Sequence, residues 1–280
     1  MKQLLFPIAR QKTGRVILQL MWSLTLLIYF PQIVAGETKI AAATNLTFVL
    51  EEIVEKFESE TGNKVKISFA SSGILTRQIE KGAPFELFLS ADEIYVDRLS
   101  EQNLTQGKGD VYALGHLVIF HHETDRSPNL DQGISSLDSA LENKLITHFS
   151  IPNPELAPYG RIAKQALKNA GLWEKILPFL IYGESASQSA MFIKNQAVEG
   201  ALLPESLAII LKQKGLGNYQ LLSPELYSPL NQKMVLLNSA GAVANTFYTY
   251  LLQENTQNIF KKNGFGSIDL ESDIKELEKK

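Results

Sequence analysis

Val65-Lys-Ile-Ser-Phe-Ala-Ser-Ser-Gly-Ile-Leu-Thr-Arg-Gln-Ile-Glu-Lys-Gly-Ala-Pro84 is the stretch on which the fold turns. Its first six residues alternate apolar and polar, the period of a half-buried strand. Ser71-Ser72-Gly73 then opens a helix, and Gly82 ahead of Pro84 closes it. A strand that hands over directly to a helix is the unit from which α/β folds are built.

The same unit recurs on both sides. Upstream, Leu46, Leu50, Ile53, Val54 and Phe57 recur at helical spacing, with Glu51, Glu52, Glu55 and Lys56 on the opposite face, until Gly62-Asn63 stops the helix. Downstream the pattern predicts strands at Phe85 to Leu89, Leu117 to Phe120, Leu145 to Ile151, Phe179 to Tyr182, Ala201 to Leu203 and Met234 to Leu237. Helices are expected at Glu93 to Leu99, Gly160 to Leu172, Ser187 to Gln196, Leu207 to Lys214 and Ala244 to Lys261. No internal repeat is visible. So many units over about 244 residues fit two small sheets joined by crossover strands better than one layer. The crossings are expected at Ala113-Leu-Gly-His116 and at Pro224 to Pro229. One lobe then combines 37–115 with 228–280, and the other is 116–227. The charged tail from Asp269 to Lys280 reads as a solvated helix or frayed end.

Residues 1–36 differ in kind. Lys2, Arg10, Lys12 and Arg15 are their only charges, an apolar run follows from Val16 to Phe30, and Pro31 leads to the small pair Ala35-Gly36. This is the order of a secretory signal peptide, cut after Ala35 or Gly36. A retained membrane anchor is the competing reading, since the run approaches spanning length; polar Gln19 and Ser23 within it favour cleavage. With those four cations set aside, 23 basic residues of the 27 face 30 acidic ones, a net charge of about −7. Nucleic acid and anionic membrane surfaces are therefore poor partners. The chain has no cysteine, which excludes disulfides, thiolate metal sites and a lipid anchor on an N-terminal thiol.

Three segments place small, hydroxyl-bearing residues where a strand should pass into a helix: Ala41-Ala-Ala-Thr-Asn45, Ser71-Ser72-Gly73 and Gly183-Glu-Ser-Ala-Ser187. A fourth, Pro154 to Gly160, also opens a helix. Helix starts carry unpaired N–H groups and the positive end of the helix dipole, so several that converge make an anion site. Taken singly, each segment is also what ordinary capping requires. Number and placement favour a site, because ligands of open α/β sheets sit beyond the carboxyl ends of the strands. Two segments come from each expected lobe, which suits a cleft.

Ala41-Ala-Ala-Thr-Asn-Leu46, the block from Phe69 to Pro84 and Phe88-Leu-Ser-Ala-Asp92 resemble the periplasmic molybdate-binding proteins of ABC transporters. The resemblance extends through Asn153-Pro154 to Gly160, Gly183-Glu184 and Ile259 to Phe265. It implies an α/β, two-lobed periplasmic-binding-protein fold of type II, with two mixed, mostly parallel sheets. It also implies a periplasmic, monomeric, non-catalytic protein without cofactor that delivers molybdate, and tungstate, to a membrane permease. The family's hydroxyl ligands fall on Thr44 and Ser72 and its backbone donors on Tyr159 and Ala186, so molybdenum is expected only as molybdate held by these four. Asn45, Ser71 and Ser185 are additional candidates. Where some members carry a tyrosine hydroxyl this chain reads Leu202-Leu203-Pro204, leaving a contact near Leu203 open, with Tyr159, Ser185 or a water as substitutes.

An acidic protein cannot hold a dianion by net charge, so neutral dipoles must do it, through charge-assisted hydrogen bonds. Such donors disfavour protonated phosphate, whose O–H needs an acceptor. Sulfate has no such proton, and a carrier for sulfate or another oxyanion stays open, as does an exported enzyme using Asp92 or Glu184. Asp92-Glu93 also suits the first turn of a helix. His121-His122 and Glu123 read as a solvated strand end rather than a metal site, and Tyr248 and Tyr250 lie on different faces of a helix. Arg77 and Arg161, one turn inside anion-facing helices, are placed to assist binding, though a surface role is the better reading.

Overall fold

The alternation at Val65 becomes an edge strand of the first of two sheets in the computed structural model, which describes residues 36–123, 128 and 130–267. In chain order the first part comprises β1 (Glu37–Ala43), α1 (Thr47–Thr61), β2 (Lys64–Ala70), α2 (Ser72–Glu80), β3 (Leu87–Ser90), α3 (Glu93–Glu101) and β4 (Asp110–Gly115). The middle comprises β5 (Leu117–His121), α4 (Ser135–Glu142), β6 (Phe149–Pro152), α5 (Pro158–Asn169), α6 (Trp173–Ile176), β7 (Leu180–Gly183), α7 (Ala186–Lys194), β8 (Gly200–Pro204), α8 (Glu205–Gln213) and β9 (Asn218–Leu221). The last described part comprises β10 (Leu230–Leu236), α9 (Ala242–Leu251), α10 (Glu254–Lys262) and β11 (Phe265–Gly266). The leader and the charged tail from Asp269 lie outside the described residues. No helix among the described residues is long and apolar enough to cross a membrane.

The first sheet runs β11-β4-β10-β3-β1-β2 and the second β7-β6-β8-β5-β9. In the first, β1 to β4 point one way and β10 and β11 the other; in the second only β5 is reversed. The sheets are thus mixed, as the resemblance implies: most strands of each run one way, but the reversed strands make five of the nine pairings antiparallel. The chain leaves the first sheet at Gly115 and enters the second at Leu117, with His116 alone between them. It returns through a turn at Pro224–Leu226 and rejoins the first sheet at Leu230.

Burial explains why both faces of each sheet carry helices. β3 is buried throughout, with Phe88 facing Leu75 and Val96 of α2 and α3, while Leu87 and Leu89 join the core beneath α1 and α9. In the second sheet Val118, Phe120 and Leu203 face α7 and α8, and Leu117, Ile119 and Leu202 face the other side. Central strands covered on both faces read as continuous apolar runs, and such strands are legible in a sequence.

Several expectations are corrected. The helix expected from Ala244 to Lys261 is two helices, because Gln253 adopts an extended conformation that redirects the chain. The break lets Phe260 reach Tyr112 and Phe265, with ring centroids 5.5 Å away in each case. The strand expected from Leu145 begins only at Phe149, since Lys144 takes a positive φ of 56° and Leu145 is exposed. α4, β9 and β11 escape sequence reading: β9 is a half-exposed edge and β11 has only two residues.

Candidate functional site

β1 and β2 end side by side, Ala43 opposite Ala70, and β6 and β7 likewise, Pro152 opposite Gly183. Each strand is followed by a helical start. Thr44 and Asn45 begin a short 3-10 turn, Ser72 is the first residue of α2, Pro158 and Tyr159 open α5, and Ala186 opens α7. Amides in the first turn have no acceptor four residues back inside their helix.

These starts converge on a small cavity lined by Thr44, Asn45, Ser71, Ser72, Tyr159 and Ala186, with Ala43, Ala91, Ala157 and Pro158 completing its wall. None of these lining residues is charged. Two of the sequence candidates stand elsewhere. Ser185 borders an adjoining recess, and its Oγ accepts from the Gln188 amide at 3.2 Å, so this hydroxyl caps α7. Leu203 is no part of the cavity: it lies in β8 opposite Val118 and is packed in the apolar core under α7 and α8. The alternation of the strand turns its side chain away from any ligand.

Ser71 stands at the N-cap of α2 yet makes no side-chain cap bond; its hydroxyl is buried, 3% exposed, without a protein partner. Ser72 Oγ accepts from the Ala91 amide at 3.1 Å, which leaves its proton to be donated. Thr44 Oγ1 is approached by the Ser187 amide at 3.5 Å, and Ser187 Oγ donates to the Thr44 carbonyl at 3.1 Å. Capping accounts for Ser185 and not for the other three.

Contacts between the parts built on the two sheets surround the cavity. The Gly73 amide donates to Leu156 O at 3.1 Å, and Ser206 Oγ to Asn45 O at 2.9 Å. A Cβ on Gly73 would come within 2.8 Å of that Leu156 oxygen, so only glycine permits the approach. Arg161 does not take the surface role expected of it: it reaches from α5 to the Asp92 carboxylate. Asp92 also caps α3 by accepting from the Ile94 amide at 3.3 Å. Burial raises the pKa of its carboxyl, and the charge of Arg161 opposes that rise. Arg77 is exposed. Glu184 borders the recess rather than the cavity.

The histidine pair is also corrected. His121 and His122 are buried, not solvated, with His121 Nε2 3.2 Å from Asp131 Oδ1 and His122 Nδ1 2.9 Å from Leu216 O. Tyr248 and Tyr250 point apart, their hydroxyls donating to Asp110 and Glu60. Sequence reading missed Gln232, a fully buried carboxamide on β10 that bonds both Asn45 and Tyr159. A glutamine two residues before an apolar run of strand was its only signal.

Residues 38–266 match the family model of the bacterial extracellular solute-binding proteins. The molybdate-binding protein ModA of Azotobacter vinelandii is 32% identical over 83% of this chain and 90% of its own length. That of Rhodobacter capsulatus is 31% identical over 82% of this chain and 88% of its own. The solved structure of the Azotobacter vinelandii periplasmic molybdate-binding protein superposes with a TM-score of 0.74 at 28% identity, covering 82% of this chain and 99% of that one. Two sheets joined by crossovers, a cleft lined by helix starts and a family match over nearly all the described residues agree: the chain belongs to the bacterial extracellular solute-binding proteins.

Proposed function

We propose that the protein captures molybdate, and tungstate as well, in this cavity for an ABC importer. The observation that carries the reading is the convergence of four helical starts, two from each sheet, on a cavity whose lining residues are all neutral. Thr44 and Ser72 donate through hydroxyl and amide, Tyr159 and Ala186 through their amides, and Ser71 and Asn45 stand close enough to add to them. Hydrogen bonds to a charged acceptor are roughly twice as strong as neutral ones, which suits a dianion in an acidic protein. With no carboxylate on the wall, a protonated oxyanion finds no charged acceptor for its proton.

In this reading 37–115 with 228–280 and 116–227 move as lobes, and the anion favours the closed form because it contacts both. Residues 1–36 act as a signal peptide, the protein works as a periplasmic monomer, and a membrane permease receives the loaded form. Thermal-shift titration against molybdate, tungstate, sulfate and phosphate tests the proposal. A ligand at about 100 times its Kd stabilises by about 2.7 kcal/mol, an upward shift of roughly 5 to 10 °C for a chain of this size. Molybdate and tungstate are expected to give it; a larger shift with sulfate, or none with molybdate, overturns the assignment.

A further inference from the structure

Gln232 lies on β10, the strand that returns from the second sheet, where the pairing with β4 shifts register between Gln232 and Lys233. It is 0% exposed, and both ends of its carboxamide are in use. Oε1 accepts from Asn45 Nδ2 at 2.9 Å and lies 3.1 Å from the Tyr112 hydroxyl, while Nε2 donates to the Tyr159 hydroxyl at 3.1 Å. Asn45 follows β1 in the first sheet; Tyr159 opens α5 beside the second. One side chain on a crossover strand therefore bonds a cavity residue from each side of the cleft.

The surroundings are fitted to this arrangement. Gly115, the last residue before the other crossing, pairs with Leu230 on β10. A Cβ there would lie 2.5 Å from the Tyr159 hydroxyl and 3.0 Å from Gln232 Nε2. The Tyr112 hydroxyl, also 3.1 Å from Ser90 O, closes the group on the β3 side. All four polar side chains are buried, so each unmade bond would leave a desolvated group.

We propose that Gln232 is a positioning residue for the anion site. It sets the spacing between Asn45 and Tyr159 in the closed form, and so ties the geometry of the crossover strand to ligand affinity. The inference rests on the oxyanion reading of the cavity, and its test separates the two. Tyr159 is expected to meet the anion through its amide and Gln232 through its hydroxyl, so Tyr159→Phe cuts the relay and leaves the ligand donor in place.

Calorimetric titration with sodium molybdate is to be run on the wild type, Tyr159→Phe, Gln232→Leu and the double variant, alongside melting of each ligand-free protein. Gln232→Leu is expected to weaken binding by about tenfold or more and Tyr159→Phe by several-fold. The double variant should bind no more weakly than Gln232→Leu, since residues in one network couple. Affinity within about twofold of wild type, or losses that simply add, overturns the positioning role, and lowered melting alone indicates core packing. Should Gln232→Leu fail to fold, Tyr159→Phe decides by itself, unchanged affinity counting against the proposal. A wild type that binds no molybdate removes the oxyanion reading first, and this inference with it.

Discussion

Apart from the two-residue edge strand β11, the first sheet matches the second strand for strand. Taken from the edge, β2-β1-β3-β10-β4 in the first follows the same order as β7-β6-β8-β5-β9 in the second, with β10 and β5 each the reversed strand that arrives from the other sheet. The turn after β1 therefore corresponds to that after β6, and the turn after β2 to that after β7. What they bring to the cavity differs. The first sheet offers hydroxyls not used in capping, on Thr44, Ser71 and Ser72. The second offers backbone: Pro158 and Ala186 begin α5 and α7, and the nearby Ser185 hydroxyl is engaged by its own helix. On the proposed reading, equivalent helix starts thus present one dipole through two chemistries, with side-chain identity mattering on one side and backbone geometry on the other.

The sharpest way to break this contrast is to delete an amide while keeping the helix. Ala186 is the first residue of α7, and Ser185 before it is extended at φ −143° and ψ 166°, a conformation that proline tolerates in its predecessor. Proline is favoured at this helix position, and Pro158 already occupies the corresponding place in α5. Ala186→Pro should leave ligand-free melting nearly unchanged and weaken molybdate binding by roughly 10- to 100-fold in calorimetry, the worth of one bond to a charged acceptor. Ala186→Ser, which keeps the amide, should stay within about twofold of wild type, because no side-chain contact with the anion is at stake. A serine variant as damaged as the proline variant would erase the distinction between the two sides.

On the hydroxyl side the expected loss is smaller and carries a stability cost. Ser72→Ala removes one donor, worth about tenfold in affinity, and leaves the Ala91 amide without its acceptor. Ligand-free stability should fall by about 1 kcal/mol as well. Unchanged molybdate affinity in this variant would refute the assignment of the hydroxyl to the ligand. The contrast between Ser72→Ala and Ala186→Ser, replacements of similar size on opposite sides, is the direct measure of what the two helix starts contribute.

The same contrast explains how much could be read beforehand. Phe69-Ala-Ser-Ser-Gly73 announces both a strand end and a donor cluster, because its chemistry is local. The second half of the site was legible only as helix starts; Ala186 and the Tyr159 amide have no signature in residue type, and only the resemblance pointed to them. Leu203 was misplaced because proximity along the chain to the end of β8 says nothing about which face its side chain takes. Gln232 is over 180 positions from Asn45, |i−j| = 187, so its contact is a product of topology alone. The repeated strand order was invisible because the two halves share an arrangement and not a pattern of residues.

The lowest-energy probe concerns the charges kept beside the neutral cavity. Asp92 from the first side and Arg161 from the second pair across the cleft, yet burial raises the Asp92 pKa above its ordinary 3.8 despite that partner. A carboxyl raised in the folded protein contributes most below its ordinary pKa, and the contribution is lost as pH rises through the raised one. Asp92→Asn removes the titration and keeps an oxygen to cap α3, since asparagine caps as well as aspartate. The ligand-free variant should therefore gain in melting temperature relative to wild type as pH rises from 3.8 through the raised value, then hold a constant difference up to about pH 7. A variant that instead loses ground as pH rises toward 3.8 from below, and then holds a constant deficit, would mean that Arg161 outweighs burial, making the pair a net clasp between the two sides. A gain would instead assign the joining of the two sides chiefly to the neutral contacts at Ser187, Ser206 and Gly73, with the ion pair fixing orientation beside them.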